Sequence, residues 1–158
     1  MSILQQFDER REEAEANASL YEQCNNLEMA YLALWSVTEH TAKDVESMRL
    51  RRELKKKVRQ WAEYLNGNGN APPPIKSFSL ETQSIPPIAN LKSVLGEIPA
   101  ISKLLQPKEK GKSSKYRDKR NAIAHRAERF ADKTRYEDYK CTAQAAIDEL
   151  ALKLKDMQ

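Results

Sequence analysis

The sequence predicts an all-α fold, an antiparallel bundle of four to five helices with a Pro-rich connection near the middle. Three observations carry this. Glycine is scarce, 4 among 158 residues, and Val, Ile and Thr form no long runs of the kind strands use. Several stretches repeat apolar residues every three or four positions, the period of a helix with one buried face. Five of the 7 prolines, Pro72, Pro73, Pro74, Pro86 and Pro87, fall between residues 66 and 87, with helix-forming text on both sides. The length favours one domain, residues 1–158. Hydrophobic residues at 40% and charged residues at 32% suit a soluble globular chain. No apolar segment approaches a membrane span, so no membrane partner is expected.

Residues 3–17, rich in Glu, Gln, Ala and Arg, predict a first helix. Ser19 with Glu22 forms a capping box for a second. Its stripe is Leu27, Tyr31, Leu34 and Thr38, widened by Ala30 and Val37, and Met29, Leu32 and Trp35 add apolar surface at another angle. That girth places this helix in the core. Residues 43–65 predict a third helix, with Leu50, Leu54, Val58, Trp61 and Leu65 on one face. Trp35 and Trp61 both read as core residues. The sequence "NGNGN" ends the helix, with Gly67 or Gly69 as cap.

Residues 66–87 read as a connection with a short extended piece at "IKSFSL". The run "IANLKSVLGEIPAISKLL" gives two short helices broken around Gly96 to Pro99. Residues 106–113 read as a loop, and Ser113 or Ser114 caps a helix reaching about residue 130. The final helix spans about 135–156 on the stripe Tyr136, Tyr139, Ala143, Ala146, Ile147, Leu150 and Leu154.

Charge is distributed unevenly along the chain, whose net value is +4. Residues 1–31 hold seven acids against two bases; residues 103–126 hold nine bases against two acids. Such polarity favours a polyanionic partner at one place on the surface, with nucleic acid the first choice. Cys24 and Cys141 have neither metal-ligand nor redox spacing and read as small buried hydrophobes. With two histidines, His40 and His125, no dedicated zinc site is expected. There is no Gly-rich phosphate loop and no Ser-His-Asp or Cys-His signature. The opening "MSILQQFDERREEAEA" lacks the apolar centre of a signal peptide, so the expected location is cytoplasmic.

The stretch "RDKRNAIAHRAERF", residues 117–130, is the chemical focus. Asn121 and His125 are four apart and share a helix face. Arg120 lies about 140° from His125 at roughly 100° per residue, within reach of a long side chain. The grouping suits RNA cleavage by transesterification, in which the substrate's own 2′-hydroxyl is the nucleophile. The protein then needs a proton carrier that works near neutral pH, the property of imidazole. It also needs a fixed cation for charge developing on the phosphate, which guanidinium supplies. Asn121 orients His125 or holds the phosphate or hydroxyl. No metal or other cofactor is called for. Around this centre, Arg117, Lys119 and Arg126 form a candidate electrostatic rim, and Tyr116 and Phe130 are candidates for stacking on bases, with core packing favoured for Phe130. Ile123 anchors the helix in the core, and Ala124 leaves room for a facing backbone. His40, beside Glu39, is a weaker candidate for a second acid–base group. The basic face at residues 49–59 either extends an RNA track or keeps its helix soluble.

"RNAIAH", Arg120 to His125, resembles the R-x4–6-H motif of HEPN domains, including the polar residue that commonly follows the Arg. The preceding "IPPIANLKSVLGEI" and the "KRNAIAH" setting resemble the small stand-alone HEPN proteins of the RiboL-PSP type; this specific match covers about residues 86–126. The resemblance implies a helical bundle, often a homodimer whose two motifs face one another across a cleft. It implies metal-independent endoribonuclease activity in toxin–antitoxin, abortive-infection or CRISPR-type phage defence, with an antitoxin or other defence-system protein as partner. Arg120 and His125 would be catalytic and Asn121 their polar companion. Other HEPN domains have lost activity and bind RNA or a partner protein. Two positions depart from relatives: Ala127 stands where a toxin subgroup has a modifiable Tyr, and Arg126 where Gly often follows the His.

Overall fold

Six helices, and no strand among the described residues, make up the computed structural model: α1 Ile3–Gln23, α2 Leu27–Leu65, α3 Pro87–Leu95, α4 Pro99–Leu105, α5 Lys115–Arg126 and α6 Lys133–Lys155. The structure describes residues 2–69, 71–74, 87–105 and 115–157. The expected extended piece at 75–80, the 106–113 loop and the Ser113 or Ser114 cap lie outside the described residues. Among the described residues no helix is long and apolar enough to cross a membrane.

Two expected boundaries move. The first helix does not stop before Ser19, which stays exposed on α1, but continues to Gln23. The reversal falls at Asn25, in left-handed conformation with φ 55. Its N–H bonds the carbonyl of Glu22, and the N–H of Asn26 bonds that of Tyr21, a closure that asparagine tolerates. The Asn26 side chain then accepts from the Met29 N–H at 3.3 Å and starts α2. The second and third expected helices are one, because no Gly or Pro interrupts residues 27–65. Gly67 at φ 78 closes α2, and Gly96 at φ 79 ends α3, both as expected.

Ion pairs set the register. As α1 advances, its partners on α6 recede: Arg11 meets Asp148 at 2.7 Å and Glu22 meets Lys140 at 2.6 Å. Helix α1 is therefore antiparallel to α6, and the Asn25 turn makes it antiparallel to α2, where Arg10 pairs with Asp44 at 2.9 Å. The core forms where these three helices meet. Tyr31, Leu34 and Val37 of α2 pack with Tyr136, Ile147 and Leu150 of α6, Phe7 of α1, and Leu91, Ile98, Ile101 and Leu104 from the short helices and their link. Each large apolar side chain buried this way contributes roughly 1.5–3 kcal/mol. Asn90 is buried in α3 and donates to the carbonyl of Ala42 at 3.2 Å, tying α3 to α2.

Side-chain expectations divide. The stripe expected for the last helix is buried throughout, and Trp35 and Ile123 join the core. Phe130 packs on that core, edge-on to Tyr31, Tyr136 and Tyr139. Trp61 does not join it; the residue is half-buried, edge-on to Tyr64 at 6.0 Å. Cys24 and Cys141 are exposed, not buried. Cys24 sits in the turn after α1, and Cys141 faces away from the buried row of α6.

Glu22 joins α1 to α6 by accepting from the Tyr136 hydroxyl and from Lys140. Burial pushes its pKa up, but the hydrogen bonds from Lys140 and Tyr136 outweigh this and hold the carboxyl below its ordinary 4.5. A depressed folded pKa contributes stability that is present above the unfolded value and lost as pH falls through the folded one. Glu22→Gln is therefore expected to lower stability at neutral pH by roughly 1 kcal/mol, with the deficit shrinking in acid. Urea midpoints of both proteins at neutral pH and near pH 3 check this; a deficit independent of pH would refute it.

Candidate functional site

Helix α5 buries Tyr116, Ala122 and Ile123, and this buried face fixes which side chains turn towards α2. Arg120 turns towards Glu39. Its Nη2 donates to Glu39 Oε2 at 2.8 Å, and its Nη1 donates to Asn121 Oδ1 at 3.0 Å. The guanidinium is thus held at two of its nitrogens by groups on two helices. About a quarter of the Arg120 side chain and a third of that of Glu39 reach solvent (26% and 34%). Because the Asn121 oxygen faces Arg120, its amide N–H2 is the end left to donate elsewhere.

These residues border a cavity of about 90 Å³, lined by Trp35, Glu39, Ile88, Leu105, Arg117, Arg120 and Asn121. At about 30 Å³ per water it holds a few waters and no nucleotide. It is a niche beside Arg120 with a mixed lining, apolar at Trp35, Ile88 and Leu105, and with Arg117 as a second cation at its wall. His125 lies one turn beyond Asn121 in the last turn of α5. It is exposed and, among the described residues, has no hydrogen-bond partner. Arg126 beside it is exposed too. Helix α5 ends there, and not near 130, because Ala127 takes a left-handed φ of 52; the N–H groups of Ala127 and Glu128 close on the carbonyls of Ile123 and Ala122. Ala124 is exposed and, with Met29 and Leu32 of α2, lines an open groove beside His125's turn.

Two expected contact residues are built into the fold. Lys119 is 13% exposed, donates to Glu128 Oε1 and the Arg129 carbonyl, each at 2.6 Å, and sits 4.9 Å over the Phe130 ring. It clamps the turn after α5. Tyr116 is 7% exposed, and its ring lies edge-on to Tyr139 at 5.1 Å. Lys103 and Lys115 lie over that ring, and the hydroxyl donates to Asp138, so no base can stack on it as it stands. Lys115 also pairs with Asp138, and its hydrogen bond holds the Asp138 carboxyl below the usual range.

The structure adds one residue, Glu39, read from sequence only as the neighbour of His40. Its spacing of four from Trp35 was the available signal, since it puts an acid at the rim of a buried row. His40 belongs elsewhere. Its Nδ1 lies 3.0 Å from the Ser36 carbonyl, in the α1–α2 groove with Arg10, Asn17 and Tyr21. Among the described residues, no three His, Cys, Asp or Glu side chains cluster as metal ligands do. No protein-family model, curated protein or solved structure matches the chain.

Proposed function

We propose that the chain is a HEPN-type, metal-independent endoribonuclease that cleaves RNA by 2′-hydroxyl transesterification. It works in the cytoplasm, in a toxin–antitoxin or phage-defence setting. The observation that carries this reading is the fixed Arg120 guanidinium, anchored by Glu39 and Asn121, with the exposed His125, without a hydrogen-bond partner among the described residues, one turn away on the same helix.

In this reading His125 takes the proton of the 2′-hydroxyl, whose oxygen forms a bond to phosphorus. The P–O5′ bond breaks, the 5′-oxygen gains a proton, and the products are a 2′,3′-cyclic phosphate and a 5′-hydroxyl. Arg120 uses two of its five N–H donors on protein groups, and the rest are available to the non-bridging oxygens. The cavity beside it is too small for a nucleotide, so the substrate lies on an open surface that a second copy would close. Ala124, exposed on the groove at this turn, admits that copy's backbone. A homodimer with a composite site follows, open to an antitoxin or other defence partner.

One observation favours a second reading. The Glu39 carboxylate already neutralises Arg120, as a purely structural pair would. A non-catalytic HEPN module that binds RNA or a partner protein needs no more. Incubation with total RNA in EDTA separates the two readings. The nuclease is expected to yield fragments ending in 2′,3′-cyclic phosphate, and His125→Ala to lose about 10²–10⁴-fold in rate with unchanged helicity. Fully active His125→Ala protein, or no fragments from the wild-type chain, sinks the nuclease.

A further inference from the structure

The distal half of α2 belongs to neither the core nor the site. The buried residues of this helix end at Val45, and residues 46–65 continue for roughly 30 Å at 1.5 Å per residue. Residues 49–59 carry seven bases and one acid. At roughly 100° per residue, Arg51, Arg52, Lys55, Lys56 and Arg59 share one broad arc, with Arg51 at its edge beside Val58 and the other four turned away from Leu50, Leu54, Val58 and Leu65. All five are exposed, and none has a carboxylate partner among the described residues. Arg49 is paired, to Glu53 at 2.7 Å. Elsewhere the fold pairs its cations readily, as Arg10, Arg11, Lys92, Lys115, Lys119, Arg120 and Lys140 show.

Solubility does not require this arrangement. Like charges three and four residues apart destabilise a helix, whereas alternating signs would solvate it equally and support it. We propose that this arc is a capture arm for the phosphate backbone of RNA, separate from the Arg120–His125 centre. The proposal rests on RNA being the substrate. From Arg51 to Arg59 the arc runs roughly 12 Å, the length of three or four phosphates along a helical strand. Three of the five cations are arginines, whose forked donors suit phosphate oxygens. A second copy meeting the arm across a two-fold axis would set cation against cation. On the apolar stripe Leu54, Val58 and Leu65 are exposed, while Leu50 and the aromatic Trp61 and Tyr64 are half-buried, so vesicle binding enters the test as a competing outcome.

The test uses the full chain carrying His125→Ala, so that binding is read without cleavage. Anisotropy of a labelled single-stranded RNA of about 20 nucleotides is followed over a salt series. The arm variant Arg52→Gln, Lys56→Gln, Arg59→Gln is compared with a charge-matched control, Lys133→Gln, Arg135→Gln, Lys155→Gln, on α6. The arm variant is expected to lose about tenfold or more in affinity and to flatten the log–log salt slope by about 2, near 0.7 per phosphate contact. The control is expected to lose much less. Equal losses in both variants overturn the arm. So does an arm variant that keeps its RNA affinity while losing binding to phosphatidylserine vesicles or to polyglutamate. Arm-dependent binding by a wild-type chain that leaves RNA intact sinks the nuclease and keeps the arm; cleavage with arm-independent binding does the reverse.

Discussion

Arg120→Ala is expected to lower the rate of RNA cleavage by about 10²–10³-fold, the loss that follows removal of one preorganised charge donor. Both kcat and kcat/KM should fall, because the cation answers charge that appears only as the phosphate is attacked. Arg120→Lys should lose nearly as much. The native side chain reaches Glu39 through one terminal nitrogen and Asn121 through the other, while presenting its remaining N–H groups. A single ammonium cannot hold that fork. Stability should fall by only roughly 1 kcal/mol in Arg120→Ala, since both partners are partly solvated and the lost pair is a modest contributor. Glu39 acts as a positioning residue in this scheme. Glu39→Gln keeps an acceptor for Nη2 and should cost activity less than Arg120→Ala does, with kcat changing more than KM. Single-turnover rates on a defined RNA, with circular dichroism to confirm folding, check the set. Wild-type rates in Arg120→Ala would refute a role for the guanidinium in catalysis.

What the sequence made legible was local. The α6 stripe from Tyr136 to Leu154 could be read because its period alone states which face is buried. The Gly67 and Gly96 ends could be read because a left-handed residue has a chemical signature when it is glycine. The Asn25 reversal was not readable in the same way. Asparagine in that conformation leaves no gap in a polar, helix-forming run, and the Ser19–Glu22 pair offered a false start. Nothing at residues 42–43 breaks a helix, and α2 passes straight through the boundary expected there. Position and not residue type decides the exposure of the two cysteines. Cys141 lies next to Thr142 and Ala143, both buried, and points the other way. The site divides similarly. Arg120, Asn121 and His125 share one helix, so spacing relates them. Glu39 is 81 residues from Arg120 and reaches it only through packing, as does the clamp that takes Lys119 from the rim.

Tyr31→Ala is expected to be the most damaging single core change, at about 3–5 kcal/mol for loss of a large buried ring. Tyr31 is fully buried and lies edge-on to Trp35, Phe130 and Tyr139, at 6.0, 5.8 and 5.5 Å. Its hydroxyl donates to the Tyr116 carbonyl at 3.1 Å, in the first turn of α5. Burial drives its phenol far above its ordinary pKa, so the proton stays in place to donate across the working pH range. Tyr31→Phe separates the ring from the bond. The ring contacts remain, the carbonyl keeps its place in the α5 ladder and loses only the phenol, and the expected destabilisation is about 0.5–1.5 kcal/mol. The two variants also report on how the site is held. If α5 is registered on α2 by this bond as well as by Glu39–Arg120, Tyr31→Phe should slow RNA cleavage at a temperature where the protein is still fully folded. Denaturant midpoints give the stabilities, and cleavage rates well below Tm give the coupling. An unchanged rate in a destabilised Tyr31→Phe protein would mean that Arg120 is positioned from Glu39 alone, and that the first turn of α5 can shift without moving the guanidinium.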